Sequence, residues 1–188
     1  LHLEALKKLG AKINVKNGYI DAIAPKGLSG SNIKFPSISV GATESIIIAA
    51  VLAKGITKIS NAAIEPEIID LINFLNKCGA DIKYNSKRKI IIKGVKFLYP
   101  VRHRIIPDRI EAATYAIAAL ITNGKLLVKK VNNEHLENIF NVLKKIGGIL
   151  KINELVNPNI DKFNASFSIK DGTLTLKPNE FILNDMKA

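Results

Sequence analysis

The sequence repeats itself. LKKLGAKI at residues 6–13 returns as LNKCGADI at 75–82 and as LKKIGGIL at 143–150, 69 and then 68 positions further on. AAVLAKG at 49–55 likewise returns as AALITNG at 118–124, again 69 positions later. A chain organised this way folds as copies of one supersecondary arrangement, and each copy hides its apolar face against its neighbours. Most architectures are removed by that constraint before any single residue is considered.

One copy can be read from its periodicity. In EPEIIDLINFLNKCG (65–79) the apolar positions Ile68, Leu71, Ile72, Leu75 and Cys78 recur at steps of three and four, the spacing of an amphipathic helix. Pro66 suits its first turn, acids cluster there, and Gly79 can adopt the left-handed conformation that ends it. ITKIS (56–60), ADIKY (80–84) and RKIIIKGV (88–95) are short, rich in isoleucine and bounded by Gly, Asn and Ser, which predicts strands. Each copy is therefore helix, strand, helix and a strand pair, with one more strand leading in. The fold class is α/β (α+β), built from repeated βαβαββ units with two helices on one side of a small sheet. The first copy lacks its opening half, the chain begins with Leu1, and its one methionine is Met186. It reads as a piece of something longer.

Function classes narrow next. The longest apolar run, Ile46 to Ala53, is far shorter than the roughly 20 residues that cross a bilayer, so no membrane association is expected. No leader pattern opens the chain, and a single cysteine, Cys78, fits a reducing compartment, so a cytoplasmic location is expected. The net charge of +12 invites a nucleic-acid partner. However, the lysines are scattered with no basic helix face or interleaved aromatics, and abundant Ile, Asn and Lys are what an AT-rich genome supplies. No nucleic acid is expected, whereas a polyanionic small substrate would profit from the same field. Cys78 falls on the buried stripe near a helix end, which predicts a core thiol. His2, His103 and His135 have no metal-ligand spacing, so no metal is expected.

Four stretches could carry chemistry. SVGAT (39–43) precedes an apolar run, and a helix from about Thr43 to Ala53 would present unpaired backbone N–H groups there, a ready anion site. Gly41 would let a ligand approach the main chain. Alternatively, Ser39 and Thr43 only cap the helix while the small residues permit close packing. In IPDRIEAATYAIAALITNG (106–124), Asp108 with Glu111 three residues later resembles a capping box, and Arg109 could fork onto an anion or pair with an acid. IEPE (64–67) puts Glu65 and Glu67 at a helix start, where the dipole alone explains them. FILNDMKA ends the chain with Asp185, which by itself reads as a turn residue.

Taken together, LHLEALKKLGAKI, SVGATESIIIAAVLAKGITKISNAAIEPEIIDLINFLNKCGADI and IPDRIEAATYAIAALITNGK resemble successive segments of the UDP-N-acetylglucosamine enolpyruvyl transferases (1-carboxyvinyltransferases). The resemblance covers residues 1–150 well. The sister family, 5-enolpyruvylshikimate-3-phosphate synthase, shares the repeat but not these words. The resemblance implies inside-out α/β barrel lobes, incomplete in this chain, with residues 1–106 finishing one lobe and 107–188 beginning the other. It also implies transfer of an enolpyruvyl group from phosphoenolpyruvate to the 3-hydroxyl of UDP-N-acetylglucosamine, by addition and then elimination, with no cofactor.

That reaction opens peptidoglycan synthesis. By position, Ser37, Ile38, Ser39, Val40 and Gly41 match the segment that holds the uridine diphosphate portion, and Leu1 falls at the edge of another such segment, beside His2. Asp185 matches the aspartate that takes the proton from the sugar hydroxyl, while Glu65 and Asp108 match acids lining the cleft. The remaining segments of the enzyme are implied as partners, and the piece alone is expected to be inactive. Ser37 stands where many members carry a lysine, and Ile64 where an arginine precedes EPE. The family's FPTD reads ILND here, and that altered ending with the lost lysine motivates the alternative of a non-catalytic relic or a nucleotide-sugar-binding module of the same fold.

Overall fold

The computed structural model of the chain describes residues 1–122, 125–145, 150–154, 163–170 and 173–174. Its residues divide into two compact units, Leu1–Ile105 and Ile106–Ala188.

The first unit opens with helix α1 (His2–Lys8) and a hairpin of β1 (Lys12–Lys16) and β2 (Tyr19–Ile23). One complete copy of the repeat follows: β3 (Asn32–Lys34), α2 (Val40–Ala50), β4 (Ile56–Ser60), α3 (Pro66–Lys77), β5 (Asp81–Asn85) and β6 (Lys89–Lys93). This is the βαβαββ order expected from the periodicity. The four strands form one sheet in the order β3, β4, β6, β5. β3 runs parallel to β4, with Ile33 opposite Ile59, and the other pairings are antiparallel.

Alternation along the strands decides which sheet face is covered. Ile33, Ile59, Ile82, Ile90 and Ile92 are buried, whereas their neighbours Lys58, Lys83 and Ile91 face outward. The inward set packs with Ala42, Ile46, Ile47 and Ala50 of α2 and with Ile68, Ile72 and Leu75 of α3, and Ala5 and Leu9 join the same core. Burying each of the larger side chains contributes about 1.5–3 kcal/mol. Cys78 is buried and free at the end of α3, as a core thiol should be. Gly79 ends that helix at φ +98°, and Gly10 does the same after α1 at its repeat-equivalent place.

The second unit restates the plan with α4 (Arg109–Ile121), β7 (Lys125–Val128), α5 (Asn133–Lys145), β8 (Leu150–Glu154), β9 (Phe163–Lys170) and the short β10 (Thr173–Leu174). β9 pairs antiparallel with β7 and β8, as β6 does with β4 and β5, and β10 adds to its end. A separate core forms from Ala112, Ala116 and Ala119 of α4 with Leu126, Leu136, Phe140 and Leu143.

Two expectations need correction. Helix α2 begins at Val40 rather than near Thr43, because Ser39 is the residue that caps it. The strand expected to lead into the second copy is not formed either, since residues 94–108 carry no strand. Pro100 and Pro107 lack the amide a ladder needs. Instead residues 99–103 lie along α3, where the Tyr99 amide donates to the Cys78 carbonyl at 2.7 Å and His103 Nε2 meets Asp70 Oδ1 at 3.0 Å. The His103 ring also rests against Phe74, centroids 5.3 Å apart.

Candidate functional site

The head of α2 holds the SVGAT stretch. Ser39 is extended at φ −146°, ψ 118°, and its hydroxyl accepts from the Ala42 amide at 3.2 Å, while its carbonyl accepts from the Thr43 amide at 3.0 Å. The amides of Val40 and Gly41, at the first two helical positions, have no partner inside the helix. They stand at its positive end, where oxyanions are favoured. Ser39 thus caps the helix, as one reading of SVGAT expects, while Thr43 lies within it.

His2 completes this corner. A Cβ built on Gly41 would sit 3.3 Å from His2 Nε2, so the imidazole lies directly against the glycine. Leu1 precedes it as the N-cap residue of α1 and is exposed, with its carbonyl accepting from Ala5. Ser37 and Ile38 are exposed just before the cap. His2 of α1 thus meets Gly41 of α2, with Leu1 and residues 37–40 beside them along the chain.

Glu65 belongs to the same unit. It is the N-cap residue of α3 without a side-chain capping bond; its Oε2 accepts from the Ile64 amide at 2.7 Å. Its Oε1 is 3.9 Å from Arg88 Nη1, and the Glu65 side chain is only 28% exposed. Arg88 also donates to the Ala62 carbonyl at 3.3 Å, while its own carbonyl accepts from the Ala62 amide at 3.0 Å. Arg88 adopts φ +54° in the β5–β6 turn, which turns its backbone and side chain back onto this loop. Nothing in the sequence reading pointed to Arg88, because a lysine-rich turn gives no sign of which acid its neighbour will meet.

Asp108 heads α4 in the second unit, exposed, with Oδ1 accepting from the Ile110 and Glu111 amides at 2.8 and 3.1 Å. That is the capping half of the predicted box. Asp185 lies outside the described residues. Among the described residues no group of three or more His, Cys, Asp and Glu side chains could hold a metal ion, and no helix is long and apolar enough to cross a membrane.

Known proteins resemble this chain. UDP-N-acetylglucosamine 1-carboxyvinyltransferase of Pelagibacter ubique is 46% identical over 190 aligned residues, covering 100% of this chain and 44% of that relative. The enzyme of the same name from Endomicrobium trichonymphae is 54% identical over 151 residues, covering 80% of this chain and 36% of its own length. The chain thus spans less than half the length of these curated relatives. Among solved structures, the enolpyruvyl transferase NikO from Streptomyces tendae superposes with a TM-score of 0.71 at 21% identity, over 87% of this chain and 40% of that one. EPSP synthase from Acinetobacter baumannii superposes at 0.62 with 21% identity, over 96% and 41%. Both are likenesses of fold. The sequence profile described as EPSP synthase (3-phosphoshikimate 1-carboxyvinyltransferase) matches residues 1–187, and the chain belongs to that family.

Proposed function

We propose that this chain supplies the nucleotide-sugar-holding part of an enzyme that transfers an enolpyruvyl group from phosphoenolpyruvate to the 3-hydroxyl of UDP-N-acetylglucosamine. The observation that carries the reading is the head of α2, where the Val40 and Gly41 amides, opened by a glycine and flanked by His2, offer a pyrophosphate a positive cradle. Relatives at 46 and 54% identity bearing the name UDP-N-acetylglucosamine 1-carboxyvinyltransferase support it.

In this reading residues 37–41 and Leu1 hold the uridine diphosphate portion. Asp185 accepts the proton of the sugar hydroxyl as its oxygen bonds to the central carbon of phosphoenolpyruvate. The methylene carbon takes up a proton in that addition. Elimination then breaks the bond to the phosphate oxygen, returns a proton from the methyl group and restores the double bond. A positioned base contributes about 10² to 10⁴ in rate. Glu65, steadied by Arg88, and Asp108 order charged groups around the reactants. Residues 1–106 finish one lobe and 107–188 begin the second. The work belongs to the cytoplasmic stage of cell-wall synthesis, on which cell shape and division depend.

Calorimetric titration tests the nucleotide claim. UDP-N-acetylglucosamine is expected to bind more tightly than uridine, on the order of tenfold or more, because only the former brings a pyrophosphate. Equal or absent binding would overturn the reading. A second reading, a binding module without catalysis, is favoured by Ser37 in place of the usual lysine. Phosphate release from phosphoenolpyruvate, measured after the remaining segments of a relative are joined to the chain, separates the two: release supports the transferase and its absence supports the module.

A further inference from the structure

We propose that Thr43 is a positioning residue whose hydroxyl locks the loop carrying Glu65 to the turn that holds the nucleotide. The proposal rests on the nucleotide reading above for its functional meaning, and on the following geometry for its substance. Thr43 is fully buried in the first turn of α2. Its Oγ1 donates to the Ser39 carbonyl at 2.8 Å, and the same oxygen accepts from the Ala63 amide, 20 residues away, at 3.0 Å. One hydroxyl thus joins the turn at Ser39 to the loop that runs from β4 into α3, two residues before Glu65.

Donation from a helical Ser or Thr to the carbonyl four residues back is commonplace. Ser45, Thr114 and Thr122 all do it here, with no bond to another element among the described residues. The accepted bond from Ala63 is what sets Thr43 apart. The repeat then supplies a control. Ser39 and Asp108 are both N-cap residues and lie 69 positions apart, and the same offset carries Thr43 onto Ala112. Ala112 is buried in the second core with no hydroxyl to offer. The fold therefore closes over this position without the bridge; both copies carry an acid at the start of the next helix, Glu65 and Glu134, but the bridge appears in the copy whose helix head carries Gly41 rather than Ile110.

The remaining bonds to the loop come from the other side. Arg88 holds Ala62 and approaches Glu65, and the Asn61 side-chain Nδ2 donates to the Phe35 carbonyl at 3.0 Å. Among the described residues Asn61 and Arg88 hold residues 61, 62 and 65, and the Thr43 hydroxyl makes the one hydrogen bond that ties Ala63 to α2, beside the packing of Ala62 and Ala63 in the shared core. Occupation of the helix head by a pyrophosphate should therefore stiffen residues 61–65 through this single oxygen.

Hydrogen exchange on the 188-residue chain tests it with Thr43→Val, which keeps the shape and removes the hydroxyl, and Thr43→Ser, which keeps the hydroxyl. Without ligand, Thr43→Val is expected to speed exchange at residues 61–65 on the order of tenfold, leaving β6 amides unchanged. Thr43→Ser should restore protection. With UDP-N-acetylglucosamine, the parent and Thr43→Ser should gain protection at both 39–43 and 61–65, and Thr43→Val at 39–43 alone. Unchanged exchange at 61–65 in Thr43→Val, uniform acceleration throughout the unit, or ligand protection of 61–65 that survives the loss of the hydroxyl would each overturn the proposal. If the nucleotide protects nothing in the parent, the nucleotide reading fails, and the ligand-free comparison still decides whether Thr43 locks the loop.

Discussion

Two buried threonines in the first unit have opposite standing. Thr43 has partners on both sides, whereas the hydroxyl of Thr57, also fully buried, has no hydrogen-bond partner among the described residues. An unsatisfied buried hydroxyl costs about 1–3 kcal/mol, and the repeat-equivalent position holds Leu126, which is apolar and buried. Thr57→Val is therefore expected to stabilise the chain by about 1 kcal/mol, read as a higher urea midpoint with unchanged slope. A lower midpoint would show that the hydroxyl is satisfied in solution. Gly41 tests the other side of residue-scale design. Gly41→Ala improves helix propensity by roughly 0.5–1 kcal/mol, and the new Cβ meets only the movable tip of the His2 ring. Stability should hold or rise while affinity for UDP-N-acetylglucosamine falls on the order of tenfold, since the methyl group occupies the ligand's approach to the backbone. A variant that binds as tightly as the parent would remove Gly41 from the site.

At the scale of elements, α2 and α4 begin the same way with different chemistry. Ser39 caps one and Asp108 the other, and replacing either by Ala should cost about 1 kcal/mol, seen as a reduced urea midpoint. Only Ser39→Ala should also weaken nucleotide binding, because its hydroxyl shapes the turn in which Val40 and Gly41 present their amides. Equal loss of binding from both substitutions would sink that distinction.

What was legible at this scale follows from locality. The stripe Ile68, Ile72, Leu75 with Pro66 and Gly79 at its ends fixes α3 almost to the residue, and ITKIS is β4 as written. The repeat made the order of elements readable from one copy to the next. Contacts between distant residues left no such trace. Arg88 with Glu65, Thr43 with Ala63 and His103 with Asp70 depend on which strands become neighbours, and neither composition nor period records that. The start of α2 was misplaced for a related reason. Ser39 and Thr43 are both good caps, and it is the bonds Ser39 accepts from the Ala42 and Thr43 amides that place Thr43 inside the first turn.

The whole molecule carries the same hairpin in two settings. β1–β2 pairs Lys12 with Ile23 and Lys16 with Tyr19, as β5–β6 pairs Asp81 with Lys93 and Asn85 with Lys89. Among the described residues β2 pairs with β1 alone, whereas β6 is flanked on both edges, by β5 and β4. Val15, Tyr19, Ile20 and Ile23 are all more than half exposed in the first hairpin, while Ile90 and Ile92 of β6 are fully buried. A two-stranded sheet is marginal in water, and an unpaired apolar edge is a template for association. Amides of β1 and β2 are accordingly expected to exchange on the order of a hundredfold faster than those of β5 and β6, because opening them exposes little additional core. Sedimentation velocity should also show concentration-dependent association, and Ile20→Lys, which places a charge on the exposed face, should reduce it without moving the urea midpoint of the first unit. Equal protection of the two hairpins together with a clean monomer at every concentration would mean that β1–β2 is stable in isolation, and that the repeat does not depend on its neighbours to hide its apolar face.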